Sequence, residues 1–220
     1  MGDPPAPLAP RDPDVDSDLP PGRLDRDDLR GVRLNGVVVD GADLAGASAY
    51  DLGIAETRLR NVDLTGCALA GAGLMDVHVE DGSWANARAE RANLRRVELH
   101  RVRLTGADFP DATLKDVLFV DCRLDLTSFR FARLERVRFE GCRMEEADFG
   151  DATLVSVVFE DCALTGASLF GATFARSEIR GCDLEGIRGA ERLRGVRMPL
   201  VDVVAAATIF AEALGVDTID

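Results

Sequence analysis

The chain has one lysine, Lys115, two histidines, one tryptophan and one tyrosine in 220 residues. It has no Cys-x-x-Cys pair among its five cysteines. Few combinations of residues are therefore left for a metal site or an acid–base pair. Lys115 does not follow a glycine-rich loop, and Gly71-Ala72-Gly73 is not followed by a lysine, so the phosphate-cradling loop motif is missing. The longest apolar run, Val203 to Ala211 with Thr208 inside it, is far too short to span a bilayer. Positive charge is scarce as well: 26 Lys and Arg stand against 39 Asp and Glu, for a net charge of -13. Phosphate and anionic lipid are bound by Lys and Arg, so neither nucleic acid nor a membrane surface is an expected partner. The first residues are acidic and lack the apolar stretch of a signal peptide, and the cysteine count is odd. A cytoplasmic protein with reduced thiols is expected.

What the sequence does have is a period of five. From Leu24 to Leu184, every fifth residue is apolar through 33 positions, mostly Leu or Phe, and no insertion breaks the register. A second track two residues earlier is small or β-branched, as at Ala42, Ala92, Ala107, Cys122, Val137 and Ala147; Asp27, at the start, and Leu52 depart from it. The other three positions are mostly polar. Neither a helix at 3.6 nor a strand at 2.0 produces this period. A square coil does, with five residues to a side and 20 to a turn, and a second-order period of 20 should follow. Cys122, Cys142, Cys162 and Cys182 show it, as do Phe119, Phe139 and Phe159, Phe109, Phe129 and Phe149, and alanines from Ala72 to Ala172.

The triplets Ala42-Asp43-Leu44, Ala92-Asn93-Leu94, Ala107-Asp108-Phe109, Ala147-Asp148-Phe149 and Cys182-Asp183-Leu184 carry the motif of the pentapeptide-repeat family, which the chain resembles over about residues 23–187. The resemblance implies an all-β solenoid, a right-handed quadrilateral β-helix of about eight coils, with centre and minus-two residues inside. Two core irregularities read as compensated volumes: Trp84 beside Gly82, and Leu52 between Ala49 and Ile54.

Outside the repeats, residues 1–22 hold seven prolines and five aspartates and read as a disordered acidic tail. The repeats occupy 23–190. Within 191–220, Met198 to Gly215 reads as an α-helix with Pro199 in its first turn and Gly215 as its stop. Its wide apolar arc, including Leu200, Val201, Val204, Phe210 and Leu214, is broad enough to cap the solenoid end and still leave apolar surface for a partner. Similar proteins dimerise through C-terminal helices, so the resemblance implies a homodimer.

No catalytic residue, metal ligand or cofactor site is expected, and no small-molecule substrate. His78 and His100 read as surface residues in adjacent coils, and the cysteine column as small core residues. Sorted by position modulo 20, the side centred on Leu104 carries -3, the Phe129 side -3, the Leu134 side +3 and the Phe139 side -4. Local acidic clusters stand at Asp108 with Asp111, Asp148 with Asp151, Glu80 with Asp81, and Glu160 with Asp161. The resemblance extends to loop-free members that imitate duplex DNA and bind DNA gyrase and topoisomerase IV, protecting them from fluoroquinolones or natural gyrase poisons. It implies the same partner class here, as a basic DNA-binding saddle meeting an acidic rod. The alternative is an interaction scaffold for a different protein.

Overall fold

The computed structural model describes residues 5–26 and 29–216 of the chain. The repeats wind into a parallel β-solenoid in which each residue stacks on the residue 20 further on. Five long strands build its middle: β3 (Gly53–Arg60), β4 (Gly73–Glu80), β5 (Asn93–His100), β6 (Thr113–Val120) and β7 (Arg133–Glu140). Short ones extend it at both ends: β1 (Arg33–Asn35) and β2 (Val38–Asp40) before, and β8 (Thr153–Val155), β9 (Val158–Glu160), β10 (Thr173–Ala175) and β11 (Glu178–Arg180) after. Registers such as Leu74↔Leu94 and Val77↔Val97 are the 20-residue period made physical. Single bridges continue from Asp43 through Asp63, Ser83, Arg103, Arg123, Arg143 and Ala163 to Asp183. That column has eight levels separated by seven steps, in line with the expected coil number.

The period of five arises at the corners. Ala47 N–H donates to the Leu44 carbonyl at 2.9 Å, closing a four-residue turn. The third residue of that turn, Gly46, has φ 72°. A type II turn demands this left-handed residue. Centre and minus-two residues point inward on either side of each corner. Phe109, Phe129 and Phe149 stack with centroids 5.5 and 5.3 Å apart, and Phe119, Phe139 and Phe159 at 4.8 and 5.1 Å. The two columns meet edge to face, as at Phe129 and Phe139. Gly82 has a different reason from the one its neighbour Trp84 suggested. A Cβ there would lie 2.8 Å from the Val62 carbonyl oxygen of the previous level, so glycine permits backbone approach rather than indole volume.

Both ends of the sheet are covered, as open edges require. At the first, Gly22 N–H donates to the Val38 carbonyl at 2.7 Å and Val38 N–H to the Pro20 carbonyl at 2.9 Å. At the last, Ile179 N–H donates to the Arg197 carbonyl, and Asp202 Oδ2 accepts from Gly181 N–H at 2.8 Å. A 3-10 turn over Ala190–Leu193 precedes α1 (Leu200–Ala205) and α2 (Ala207–Ala213). The single helix expected from sequence is thus divided at Ala206, which is buried against the core end (4% exposed). Pro199 is the N-cap residue rather than a residue of the first turn. Among the described residues no helix is long and apolar enough to cross a membrane.

Candidate functional site

With the inward positions filled by core, function falls to the outer surface, and the eight acidic residues singled out in the sequence lie there on two opposite sides. On the Phe139 side three of the four are answered by arginine. Asp81 takes a two-pronged pair with Arg101 at 2.7 and 2.8 Å, Glu80 lies 3.4 Å from Arg60, and Glu160 is held by Arg180 at 2.7 Å and by Arg138. The hydrogen bonds from Arg180 and Arg138 bring the Glu160 carboxyl down to about 2. On the Phe129 side, Asp148 and Asp151 share one guanidinium, Arg130, at 3.1 and 3.7 Å. Asp108, Asp111 and Asp161 take part in no ion pair among the described residues.

The N-terminal segment, expected to be disordered, lies instead along the rod in its described part, residues 5–22. Ala6 to Pro10 border Arg138, Val158, Glu178 and Arg180 on the Phe139 side. Arg11 N–H then donates to Asp116 Oδ1 at 3.2 Å and Asp14 N–H to Asp76 Oδ1 at 3.1 Å. Pro20 to Gly22 reach the first level. Proline keeps such a segment extended and leaves few donors to satisfy, which suits a strand lying on a surface. Both aspartates occupy left-handed corners and are buried. The Arg96 hydrogen bond, opposed by burial and aided by Asp14 N–H, holds the Asp76 carboxyl below the usual range. At Asp116 burial pushes upward, but Arg136 and the Arg11 N–H outweigh it and the net shift is downward.

Two histidines read as separate surface residues are brought together. His78 Nδ1 lies 3.2 Å and His100 Nε2 3.4 Å from Glu98 Oε2. The bond with His78, against burial and with help from His100, lowers the Glu98 carboxyl. The spacing of 22 between the histidines was a usable signal: one coil plus two residues puts His78 directly beneath Glu98 in its column and His100 two residues beyond Glu98 on the same strand. Among the described residues no group of three or more His, Cys, Asp or Glu is placed to hold a metal ion. In the cysteine column, Cys122, Cys142 and Cys162 are buried and Cys182 half-buried. The hydrogen bond with Cys122, partly offset by that with Cys162 and reinforced by burial, pushes the Cys142 thiol up to about 12. A thiol that stays protonated is a poor nucleophile.

The register of these columns is the decisive observation, and comparison of the sequence with family models agrees with it. The model described as "Pentapeptide repeat region" matches residues 92–169 and 112–188, and "Pentapeptide repeats (8 copies)" matches 28–66 and 72–111. The chain belongs to the pentapeptide-repeat family. As a pentapeptide-repeat protein it is similar to solved structures of that kind. One is of QnrB1, a plasmid-mediated fluoroquinolone resistance protein, with 18% identity over 86% of this chain and 100% of that one, at a TM-score of 0.48. Another is HetL from the cyanobacterium Nostoc sp. strain PCC 7120, a protein involved in heterocyst differentiation regulation, with 26% identity over 72% and 79% and a TM-score of 0.39. A third, from the Arabidopsis thaliana thylakoid lumen, has 16% identity over 86% and 83% and a TM-score of 0.20. None of these likenesses bears on partner or activity. No curated protein matches the chain.

At the C-terminal end the apolar residues divide into two sets. Phe210 packs on the solenoid end with Ile209 and Ala213. Leu200, Val201, Val204 and Leu214 remain exposed, from 66% to 79%.

Proposed function

We propose that this pentapeptide-repeat protein is a non-enzymatic, cytoplasmic binding protein that occupies the DNA-binding surface of a type II topoisomerase, DNA gyrase or topoisomerase IV. The partner class is suggested by the resemblance to loop-free family members that bind type II topoisomerases. The observation that carries the reading is the unbroken column of eight levels, with carboxylates at many of the corners. Seven steps of ~4.8 Å make a rod of about 34 Å, and duplex DNA of that length carries ~20 phosphate charges. The rod carries at least as many carboxylates over that length, but many are paired with arginine and its net charge is far smaller. Its attraction for a basic saddle is therefore weaker per length than DNA's, and sensitive to salt.

The exposed face of α1 supports a second element, a homodimer. Leu200, Val201 and Val204 form an apolar patch that a second copy would bury. Light scattering on the wild type and on Val201→Asp/Val204→Asp tests it: a dimer that becomes a monomer is expected, and a monomeric wild type overturns it.

A supercoiling assay with purified gyrase, with and without ciprofloxacin, tests the main reading. Inhibition of supercoiling, or relief of drug-induced cleavage, is expected at micromolar protein. The absence of both effects would overturn the topoisomerase reading.

A further inference from the structure

Among the described residues of the solenoid only five large apolar side chains are exposed: Tyr50, Met75, Leu126, Phe131 and Phe170. All but Met75 belong to the Phe129 side or its two bounding corners. Leu126 and Phe131 are successive corners of one coil, 58% and 53% exposed, with φ of 59° each. Bulky residues are rare in this conformation, and most corners here hold Gly, Asp, Asn or Arg. Their own columns hold Gly106 and Glu146 beside Leu126, and Asp111 and Asp151 beside Phe131. Neither side chain fills the core. Neither conformation favours it. Folding therefore gives no reason for apolar residues at these two points.

The surroundings indicate what would cover them. From Gly106 to Gly171, the strip between the two corner columns presents Asp108, Asp111, Glu146, Asp148 and Asp151 against the single cation Arg130. Arg130 lies 5.2 Å from the Phe131 ring centre, so its charge is already engaged by the ring and by two carboxylates. Phe170 is 57% exposed and sits two levels beyond Arg130 in the same column, roughly 10 Å along the axis. Among the described residues of the solenoid, the opposite side is bordered by a single exposed large apolar side chain, Met75, although that side is acidic too. Its acids at Glu80, Asp81 and Glu160 are neutralised by arginine, and the N-terminal segment lies across it.

We infer that the Phe129 side is the face that contacts the partner, with Leu126, Phe131 and Phe170 as apolar anchors inside an acidic field. The occupant that fits is a basic protein surface with apolar recesses. Duplex DNA itself is repelled by the carboxylates, and a bare lipid surface offers no basic groups. The inference rests on the topoisomerase reading and names its contact side. Carboxylates would speed and orient the encounter, while buried aromatic anchors would supply most of the residence time.

The test compares gyrase binding and thermal unfolding for the full chain and for Leu126→Gly/Phe131→Gly/Phe170→Ala. Glycine removes the anchors and relieves the left-handed corners, so the melting temperature should hold or rise. Affinity should fall by about tenfold or more. The control Glu56→Gly/Asp121→Gly, at left-handed corners away from this strip, should bind as the wild type does. Leu126→Asn/Phe131→Asn, which also tolerates the left-handed backbone, should lose binding in the same way if the triple variant proves unstable. Equal binding by the anchor variants overturns the inference and leaves the topoisomerase reading standing. No binding by the wild type overturns both.

Discussion

Replacing Phe139 by alanine should cost about 5 kcal/mol, near the top of the range for buried aromatic truncations. The ring is fully buried. It stacks on Phe119 at 4.8 Å and Phe159 at 5.1 Å, and meets Phe129 and Phe149 edge to face at 6.1 and 6.4 Å. Truncation removes the transfer energy of the ring, leaves a cavity that a stacked column cannot collapse into, and breaks four ring pairs, each a further ~0.5–1.5 kcal/mol in isolation. Leucine should cost about 1.5 kcal/mol or less, because the same column already accepts Leu59 and Leu99. Urea unfolding can be followed by the single tryptophan, Trp84, which is buried (2% exposed) and lies more than two levels away. Its emission and the far-ultraviolet dichroism should change together, as a cooperative solenoid requires. A loss below about 2 kcal/mol for Phe139→Ala would refute the reasoning, since the column would then tolerate a void of that size.

Ala112, 1% exposed within its column of alanines, should not admit arginine: Ala112→Arg buries an unpaired charge, and a normal melting temperature would contradict the inward assignment. Glu160 is held at about 2, below its ordinary 4.5, so its stabilising contribution is complete above pH 4.5 and is lost as pH falls toward 2. Urea midpoints at pH 5 and pH 3 should therefore differ less in Glu160→Gln than in the wild type, and an equal difference would refute the pairing with Arg180 and Arg138. Along the N-terminal segment, the amides of Arg11 and Asp14 should exchange more slowly than that of Asp12, because they donate to Asp116 and Asp76. Uniform fast exchange would show that the segment does not dock.

The solenoid was legible because its core is written one residue at a time: each apolar fifth residue, and each small one before it, has a single inward place. The 20-residue columns of Cys, Phe, Val and Ala even fixed which residue stacks on which. Net charge was less informative. A total of -13 did not show that Asp81, Glu80 and Glu160 are answered by arginines one level away, since pairing across coils depends on rotamers that no periodicity encodes. The docking of the N-terminal segment was hidden for a related reason: it depends on two buried corner aspartates, Asp76 and Asp116, that look like ordinary repeat residues in the sequence. The division of the C-terminal helix followed from Ala206 being drawn onto the end of the core, which an apolar arc alone does not specify.

If the proposed function is right, this acidic rod and duplex DNA compete for one surface of a type II topoisomerase. Anisotropy of a labelled linear duplex bound to gyrase, titrated with this protein, tests it directly. Full displacement of the duplex is expected, with a midpoint that rises in proportion to the duplex concentration. Undiminished anisotropy at saturating protein would contradict it.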